Sequence, residues 1–125
     1  MLSGTIVFAQ SSAEMLPQKN QKIFIVSCSR QNVKLAKKEL QKHNYSIADN
    51  KEDADVILDL QVERIWFNDR KAYAVFVDPK TQKDIYETRP VNTFWRFTFA
   101  PRKAVMKMLI KKRVNRYYEQ TSKTA

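Results

Sequence analysis

Glycine is nearly absent from this sequence: Gly4 is the single glycine among 125 residues. Loops that cradle a phosphate need glycine, both for positive φ and to let backbone N–H groups approach the phosphate closely. A P-loop, a dinucleotide-binding fingerprint and a nucleophile elbow are therefore excluded. No cofactor is expected.

Cysteine and histidine are equally scarce, with one residue of each, Cys28 and His43. One cysteine cannot form an internal disulfide, and one of each cannot form a zinc cluster. A catalytic thiol needs a histidine within hydrogen-bond reach, but we expect these two at opposite ends of a helix, about 20 Å apart. Cys28 is therefore predicted to be a small buried residue and His43 a solvated residue at a helix end. The chain is predicted not to be an enzyme.

Acidic residues cluster only once, between positions 52 and 59, where Glu52, Asp53, Asp55 and Asp59 occur. A calcium loop would need more oxygen ligands at alternating positions and a glycine for its bend. We therefore interpret the cluster as a solvated turn, and no metal site is predicted.

Long apolar runs are also missing, since none approaches the ~20 residues of a membrane span. A short one, LSGTIVFA at residues 2–9, is followed by the polar QSS. Signal peptidase prefers small side chains three residues and one residue before the bond it cleaves. Val7 and Ala9 have this spacing before a cut ahead of Gln10, and Ser11 and Ala13 have it before a cut ahead of Glu14.

This start predicts export, although a basic segment ahead of the run is missing and the run is short. An ordinary N-terminal strand or arm is the alternative for residues 1–13, and residues 14–21 are expected to be a linker. The expected location is the periplasm or the medium, with the cytoplasm as the alternative. No cysteine follows the cut, so a lipoprotein is not expected.

What the chain has in quantity is apolar side chains, 43% of its residues, enough for the core of one domain. The patterns predict an α+β fold in the order β-α-β-β-β-α, with two helices packed on an antiparallel or mixed sheet of about four strands. The single domain is expected at 22–120, followed by a disordered tail at 121–125. A short strand at 45–47 is an open alternative, and residues 93–99 could be a strand or an aromatic lid.

The stretch from Glu52 to Leu60 reads EDADVILDL, and Val77 to Thr81 reads VDPKT before another strand. This arrangement resembles small bacterial envelope domains: the N-terminal domain of the TolB translocation protein, the curli secretion lipoprotein and the lipoprotein activators of penicillin-binding proteins. Their hairpin often has glycine where this chain has Gln82. The resemblance covers roughly residues 22–109. It implies a non-enzymatic role in assemblies at the cell envelope and brings no site residues.

Positive charge is concentrated at the C-terminus of a chain whose formal net charge is +10. A helix is predicted at about 101–119, with Pro101 at its first position. Its apolar stripe is expected to be Val105, Met106, Leu109, Ile110 and Tyr117, flanked by Met108 and Val114. The candidate binding residues on its outer face are Arg102, Lys103, Lys107, Lys111, Lys112, Arg113 and Arg116.

Three interpretations of this basic face stay open. It can be merely solvated, it can dock on membrane lipid or a polyanionic envelope polymer, or it can bind nucleic-acid phosphates. The start of the helix, PRKA at 101–104, is similar to that of double-stranded-RNA-binding domains, but the glycines that precede that helix in the family are missing here. An unidentified protein is a further possible partner.

Aromatic residues alternate with arginines in the second half of the chain, around Arg64, Arg70, Arg89 and Arg96. Trp66, Phe67 and Trp95 are candidates for docking an apolar partner, and such a set could also stack single-stranded bases. Packing in the core and over a sheet edge is the simpler interpretation. The leading hypothesis is an exported envelope protein that acts by binding, and the alternative is a cytosolic nucleic-acid-binding module.

Overall fold

A computed structural model describes residues 20–65, 69–93 and 100–124, the last four through their backbone alone. The elements are β1 (Lys22–Ser27), α1 (Arg30–Lys42), β2 (Ser46–Ile47), β3 (Val56–Arg64), β4 (Arg70–Val77), β5 (Asp84–Glu87), β6 (Val91–Asn92), α2 (Pro101–Leu109) and α3 (Asn115–Thr124). A 3-10 turn, Lys51–Asp53, precedes β3, and a π-helical turn, Ile110–Val114, joins α2 to α3.

Within the described residues the strands form one mixed sheet of six strands in the order β2-β1-β3-β4-β5, with β6 also paired to β4. Strand β1 is parallel to β2 and β3, whereas β4 is antiparallel to β3, β5 and β6. The predicted α+β class, the two helices and the mixed sheet are confirmed. The predicted four strands are too few, because β2 and β6, of two residues each, complete the sheet.

Helix α1 owes its limits to residues at its two ends. The side chain of Ser29 accepts a hydrogen bond from the Gln31 N–H at 3.2 Å, which caps the first turn. At the other end Asn44 has φ 67°, and the Tyr45 N–H donates to the Leu40 carbonyl at 3.1 Å. This is the Schellman arrangement, in which an asparagine takes the left-handed position that glycine usually occupies.

The core lies between one face of the sheet and the helices. Alternate residues of β3 and β4 point into it, and Leu58, Ala74 and Phe76 are each fully buried. Burying a side chain as large as that of Leu58 or Phe76 contributes about 1.5–3 kcal/mol. Helix α2, the π-helical turn and α3 supply Val105, Met106, Leu109, Ile110, Val114 and Tyr118 to the same cluster.

Cys28 does not belong to this core, and the prediction that it is buried is wrong. Strand β1 places Ile23 and Ile25 in the core and ends at Ser27, so that Cys28 lies in the loop before α1 and is exposed. His43 lies at the end of α1, where its backbone N–H donates to the Leu40 carbonyl at 3.0 Å.

Helices α2 and α3 form one continuous helix through the π-helical turn, whose flanking residues Leu109 and Asn115 keep helical dihedrals. We call this unit, residues 101–124, the C-terminal helix. It extends to Thr124, so the backbone of 121–124 is helical where the sequence favours a disordered tail. No helix in the described ranges is both long enough and apolar enough to cross a membrane.

Candidate anion-binding face

The C-terminal helix exposes most of the basic side chains predicted from the sequence as candidate binding residues. Lys103, Lys107, Lys111, Lys112 and Arg116 are exposed, whereas Arg102 and Arg113 are partly buried. The side chains divide into two groups according to their neighbours. Lys112, Arg113 and Arg116 line a cleft beside β5, and Lys103, Lys107 and Lys111 lie outside it.

The cleft has a volume of about 200 Å³ and separates the C-terminal helix from the end of β5. Among the described side chains that line it, four are cationic and none is acidic, so it concentrates positive charge in a concave surface. Such a site raises the local concentration of anions. Its lining residues are Tyr86, Thr88, Arg89, Lys112, Arg113, Arg116, Tyr117 and Gln120.

Arg113 holds the two sides of the cleft together. Its Nε donates a hydrogen bond to the Arg89 carbonyl at 3.0 Å, and its Nη2 donates to the Pro90 carbonyl at 3.3 Å. These bonds fix the segment that follows β5 against the helix. Arg113 therefore positions the backbone of Arg89 and has fewer donors left for a ligand.

Arg89 is the member of the cleft that the helical pattern does not reveal. It follows β5 and lies 24 residues from Arg113 along the chain. The sequence suggested it only as one of the arginines between the aromatic residues. The structure instead places it with the basic residues of the C-terminal helix.

A stacked pair of tyrosines also lines the cleft. The rings of Tyr86 and Tyr117 lie 4.2 Å apart at 4° to each other, and Tyr117 packs on the buried ring of Phe76 at 4.7 Å. Burial raises the pKa of Tyr117, with a smaller contribution from Tyr86. The phenol therefore stays neutral at physiological pH and does not offset the cations. Tyr86 is 40% exposed, which leaves part of its ring open to solvent.

The cations of the cleft have no carboxylate partner in the part of the chain that the structure describes. The two ion pairs found there, Lys42–Glu39 at 3.2 Å and Lys71–Glu63 at 3.9 Å, lie elsewhere. Glu119, the one acidic residue of the C-terminal helix, accepts a hydrogen bond from Asn115 Nδ2 at 3.0 Å. The charge of the cleft is thus uncompensated within the described ranges.

The N-terminal end of the C-terminal helix has a different environment. The Nη1 of Arg102 donates to Gln31 Oε1 at 2.6 Å, which ties the start of α2 to α1. Burial lowers the pKa of Arg70, and the neighbouring charges of Arg64 and Arg102 lower it further. Three arginines therefore lie near one another here.

The aromatic candidates Trp66, Phe67 and Trp95 lie outside the described residues, as does the signal-like segment.

The acidic cluster does not converge on one point. Asp55 accepts a hydrogen bond from the Lys22 N–H at 2.8 Å, and Asp53 accepts one from Asn50 Nδ2 at 3.1 Å. Asp59 accepts from Gln61 Nε2 at 3.0 Å on the strand. Over the described ranges no three His, Cys, Asp or Glu side chains come together as metal ligands.

Comparison with known proteins gives no relative from which a role could be transferred. No family model matches the chain, and neither curated proteins nor solved structures give a significant match. The cleft and its charges are therefore the basis for a functional proposal.

Proposed function

We propose that this protein is an exported protein of the bacterial cell envelope that acts by binding and not by catalysis. It docks on an anionic, phosphate-bearing surface through the cationic face of its C-terminal helix. The observation that carries this proposal is the cleft, where Arg89, Lys112 and Arg116 have no carboxylate partner among the described residues.

Two sequence features support the envelope as the site of action. Residues 2–9 and the small residues after them have the pattern of a signal-peptide end. The EDADVILDL and VDPKT stretches resemble envelope domains that assemble with other components. Phosphate-bearing lipids and polymers are the anions that a cationic face meets in that compartment.

Export is tested by expressing the chain in a bacterium and sequencing the N-terminus of the protein in each cell fraction. We expect a periplasmic product that begins at Gln10 or Glu14. Uncleaved protein confined to the cytoplasm would rule out the export part of the proposal.

Docking is tested by co-sedimentation with vesicles of phosphatidylcholine, with and without phosphatidylglycerol, at low and high salt. We expect binding only to the anionic vesicles, and weaker binding at high salt because salt screens exposed charges. The triple variant K107E/K111E/R116E should lose this binding.

A matched control carries the same change in net charge on a different face. Lys34, Lys37 and Lys38 are exposed on α1, and the variant K34E/K37E/K38E should retain most of the binding. Equal losses in the two variants would show that net charge alone, and not the C-terminal helix, attracts the protein to the vesicles.

Nucleic-acid binding is the second candidate, and the exposed ring of Tyr86 beside three cations favours it. A base can stack on such a ring while its phosphate meets the arginines. A gel-shift assay with duplex RNA and single-stranded DNA at two salt concentrations tests this function. Absence of a shift at low salt would rule out nucleic-acid binding.

A further inference from the structure

We infer that the cleft is a pocket for a terminal phosphate monoester, carried by a sugar or a lipid headgroup. Arg89, Lys112 and Arg116 would surround the phosphate, and the tyrosine pair would contact its carrier. The inference deepens the proposed function and rests on it, because it names the group that the cationic face recognises.

The three cations converge from separate parts of the fold. Arg89 comes from the segment after β5, Lys112 from the π-helical turn and Arg116 from α3. Arg113 joins the two sides by its bonds to the carbonyls of Arg89 and Pro90, at 3.0 and 3.3 Å. The cleft is therefore formed before a ligand arrives, which lowers the entropic cost of binding.

The side chains of Arg89, Lys112 and Arg116 have no described acceptor. Within the described ranges they take part in no ion pair, and no hydrogen bond from their side chains is found there. Guanidinium and ammonium groups form their strongest hydrogen bonds with carboxylate and phosphate oxygens. Three such groups around one cleft match a group that bears more than one negative charge.

The size of the cleft favours a terminal group over a whole ligand. Its volume of about 200 Å³ is below the roughly 300–1,000 Å³ of pockets that enclose a small molecule. It is also open, since Tyr86, Arg89, Lys112, Arg116 and Gln120 are exposed. A phosphate at the end of a larger molecule can enter it while the rest stays outside.

The charge of the ligand separates a monoester from other anions. A phosphate monoester carries nearly two charges above its second pKa of about 6, whereas a sulfate ester or a phosphodiester carries one. Tyr117 is neutral and does not repel a dianion. The partly exposed ring of Tyr86 offers an apolar surface with a hydroxyl group, which suits the ring of a sugar.

The experiment is an NMR titration of the full chain with glucose 1-phosphate, beside glucose 1-sulfate and glucose. We expect a saturable change in resonances of Tyr86, Arg89, Lys112 and Arg116 with the phosphate, weaker binding of the sulfate and none of glucose. Affinity for the phosphate should rise as the pH increases through about 6.

Two variants localise the effect, and circular dichroism first checks that each is folded. R89Q/R116Q should bind glucose 1-phosphate at least about ten-fold more weakly, because it loses charge-assisted hydrogen bonds. K34Q/K37Q removes the same charge from the exposed face of α1, outside the cleft, and should bind as the wild type does. If R89Q/R116Q does not fold, R116Q alone serves, with a smaller loss expected.

Binding measurements with lipid vesicles distinguish the two carriers of the phosphate. Stronger binding to phosphatidic acid vesicles than to phosphatidylglycerol vesicles, without saturable binding of glucose 1-phosphate, assigns the pocket to a lipid headgroup. Saturable binding of glucose 1-phosphate with no such preference assigns it to a sugar.

Three results would overturn the inference. The first is equal binding of glucose 1-phosphate and glucose 1-sulfate at every pH. The second is binding of glucose 1-phosphate to R89Q/R116Q as tight as to the wild type. The third is binding of an oligonucleotide without a terminal phosphate to the cleft more tightly than either small ligand. Salt-sensitive binding to phosphatidylglycerol vesicles would in each case leave the proposed docking function standing. Loss of binding to all anionic vesicles would instead overturn that function.

Discussion

Two buried threonines, Thr88 and Thr93, complete the pairing of β4 where its neighbouring strands stop. The Thr88 N–H donates to the Ala74 carbonyl at 2.8 Å, and the Thr88 hydroxyl accepts from the Ala74 N–H at 2.9 Å. Thr93 forms the same pair of bonds with Arg70, at 3.0 and 2.9 Å. In both places a side-chain oxygen replaces a strand carbonyl, so the hydrogen bonding of β4 continues past the end of β5 at Thr88 and past the end of β6 at Thr93.

The Thr88 hydroxyl is the acceptor for the buried Ala74 N–H. Replacing Thr88 by valine keeps the shape but leaves the Ala74 N–H without its acceptor. Thr88→Val should therefore lower the free energy of unfolding by about 1–3 kcal/mol, measured by urea denaturation. Thr88→Ser keeps the oxygen and should lose less. A serine variant as unstable as the valine variant would contradict this account.

A residue's local conformation was partly predictable in the hairpin between β4 and β5. Asp78 accepts the Lys80 N–H through Oδ1 at 2.9 Å, the turn that its Asp-Pro sequence predicts. Gln82 has φ 63°, a left-handed conformation that favours glycine. The envelope domains that the sequence resembles often have glycine at this position. The sequence could not predict that Cys28 is exposed, because the apolar run before it does not show that β1 ends at Ser27 and that Val26, on the face opposite the core, is itself 38% exposed.

At the scale of elements, the π-helical turn decides which side of the C-terminal helix is buried. The core residues Met106, Ile110, Val114 and Tyr118 recur every four positions, which is longer than the 3.6 residues of an α-helical turn. One wide turn between Ile110 and Val114 compensates for the drift. The α-helical stripe predicted from the sequence placed Tyr117 inward and Val114 at the flank. Instead Val114 and Tyr118 are buried, and Tyr117 turns towards the cleft.

Deleting one residue tests this explanation of the turn. Without Lys111, Val114 and Tyr118 would follow Ile110 at regular α-helical spacing, so the core face would be kept. The deletion should change the free energy of unfolding by no more than about 1 kcal/mol, as measured by chemical denaturation.

Deleting Lys107 is the matched control, since it removes the same side chain from a regular turn of α2. It rotates the helix beyond it by one residue, so that Leu109 leaves the core and Lys111 takes the buried place of Ile110. A loss of about 2–5 kcal/mol, or failure to fold, is expected. If the two deletions destabilise the protein equally, the wide turn does not arise from an extra residue.

At the scale of the whole molecule, local sequence patterns predict the main helices and strands, whereas the residues of the cleft become neighbours only in the tertiary structure. The burial pattern of β3 and the Ser29 cap of α1 depend on residues close together in the chain. Strands β2 and β6 have two residues each and exist only through pairing with β1 and β4. Arg89 reaches Lys112 and Arg116 because β5 packs beside the C-terminal helix, and no local spacing encodes that approach.

Buried tyrosines connect the C-terminal helix, the sheet and the segment after α1, which makes the stability of the fold sensitive to alkaline pH. Tyr118 is 2% exposed and packs on Tyr45 at 5.1 Å and Phe76 at 5.7 Å. Burial raises the pKa of its phenol far above the ordinary 10.0, and the nearby Tyr45 raises it further. Burial likewise raises the pKa of Tyr45.

A raised pKa means that the folded state holds the proton more tightly than the unfolded state does. Stability from this source is complete below the unfolded value of about 10 and is lost as the pH rises above it. Tyr118 alone should contribute a decline of about 1.4 kcal/mol per pH unit there, visible in urea denaturation at stepped pH. Tyr118→Phe should make the decline less steep. At neutral pH this variant should be at least as stable as the wild type, because the Tyr118 hydroxyl is buried without a hydrogen-bond partner in the described structure. An equally steep alkaline decline in Tyr118→Phe would show that another group controls it.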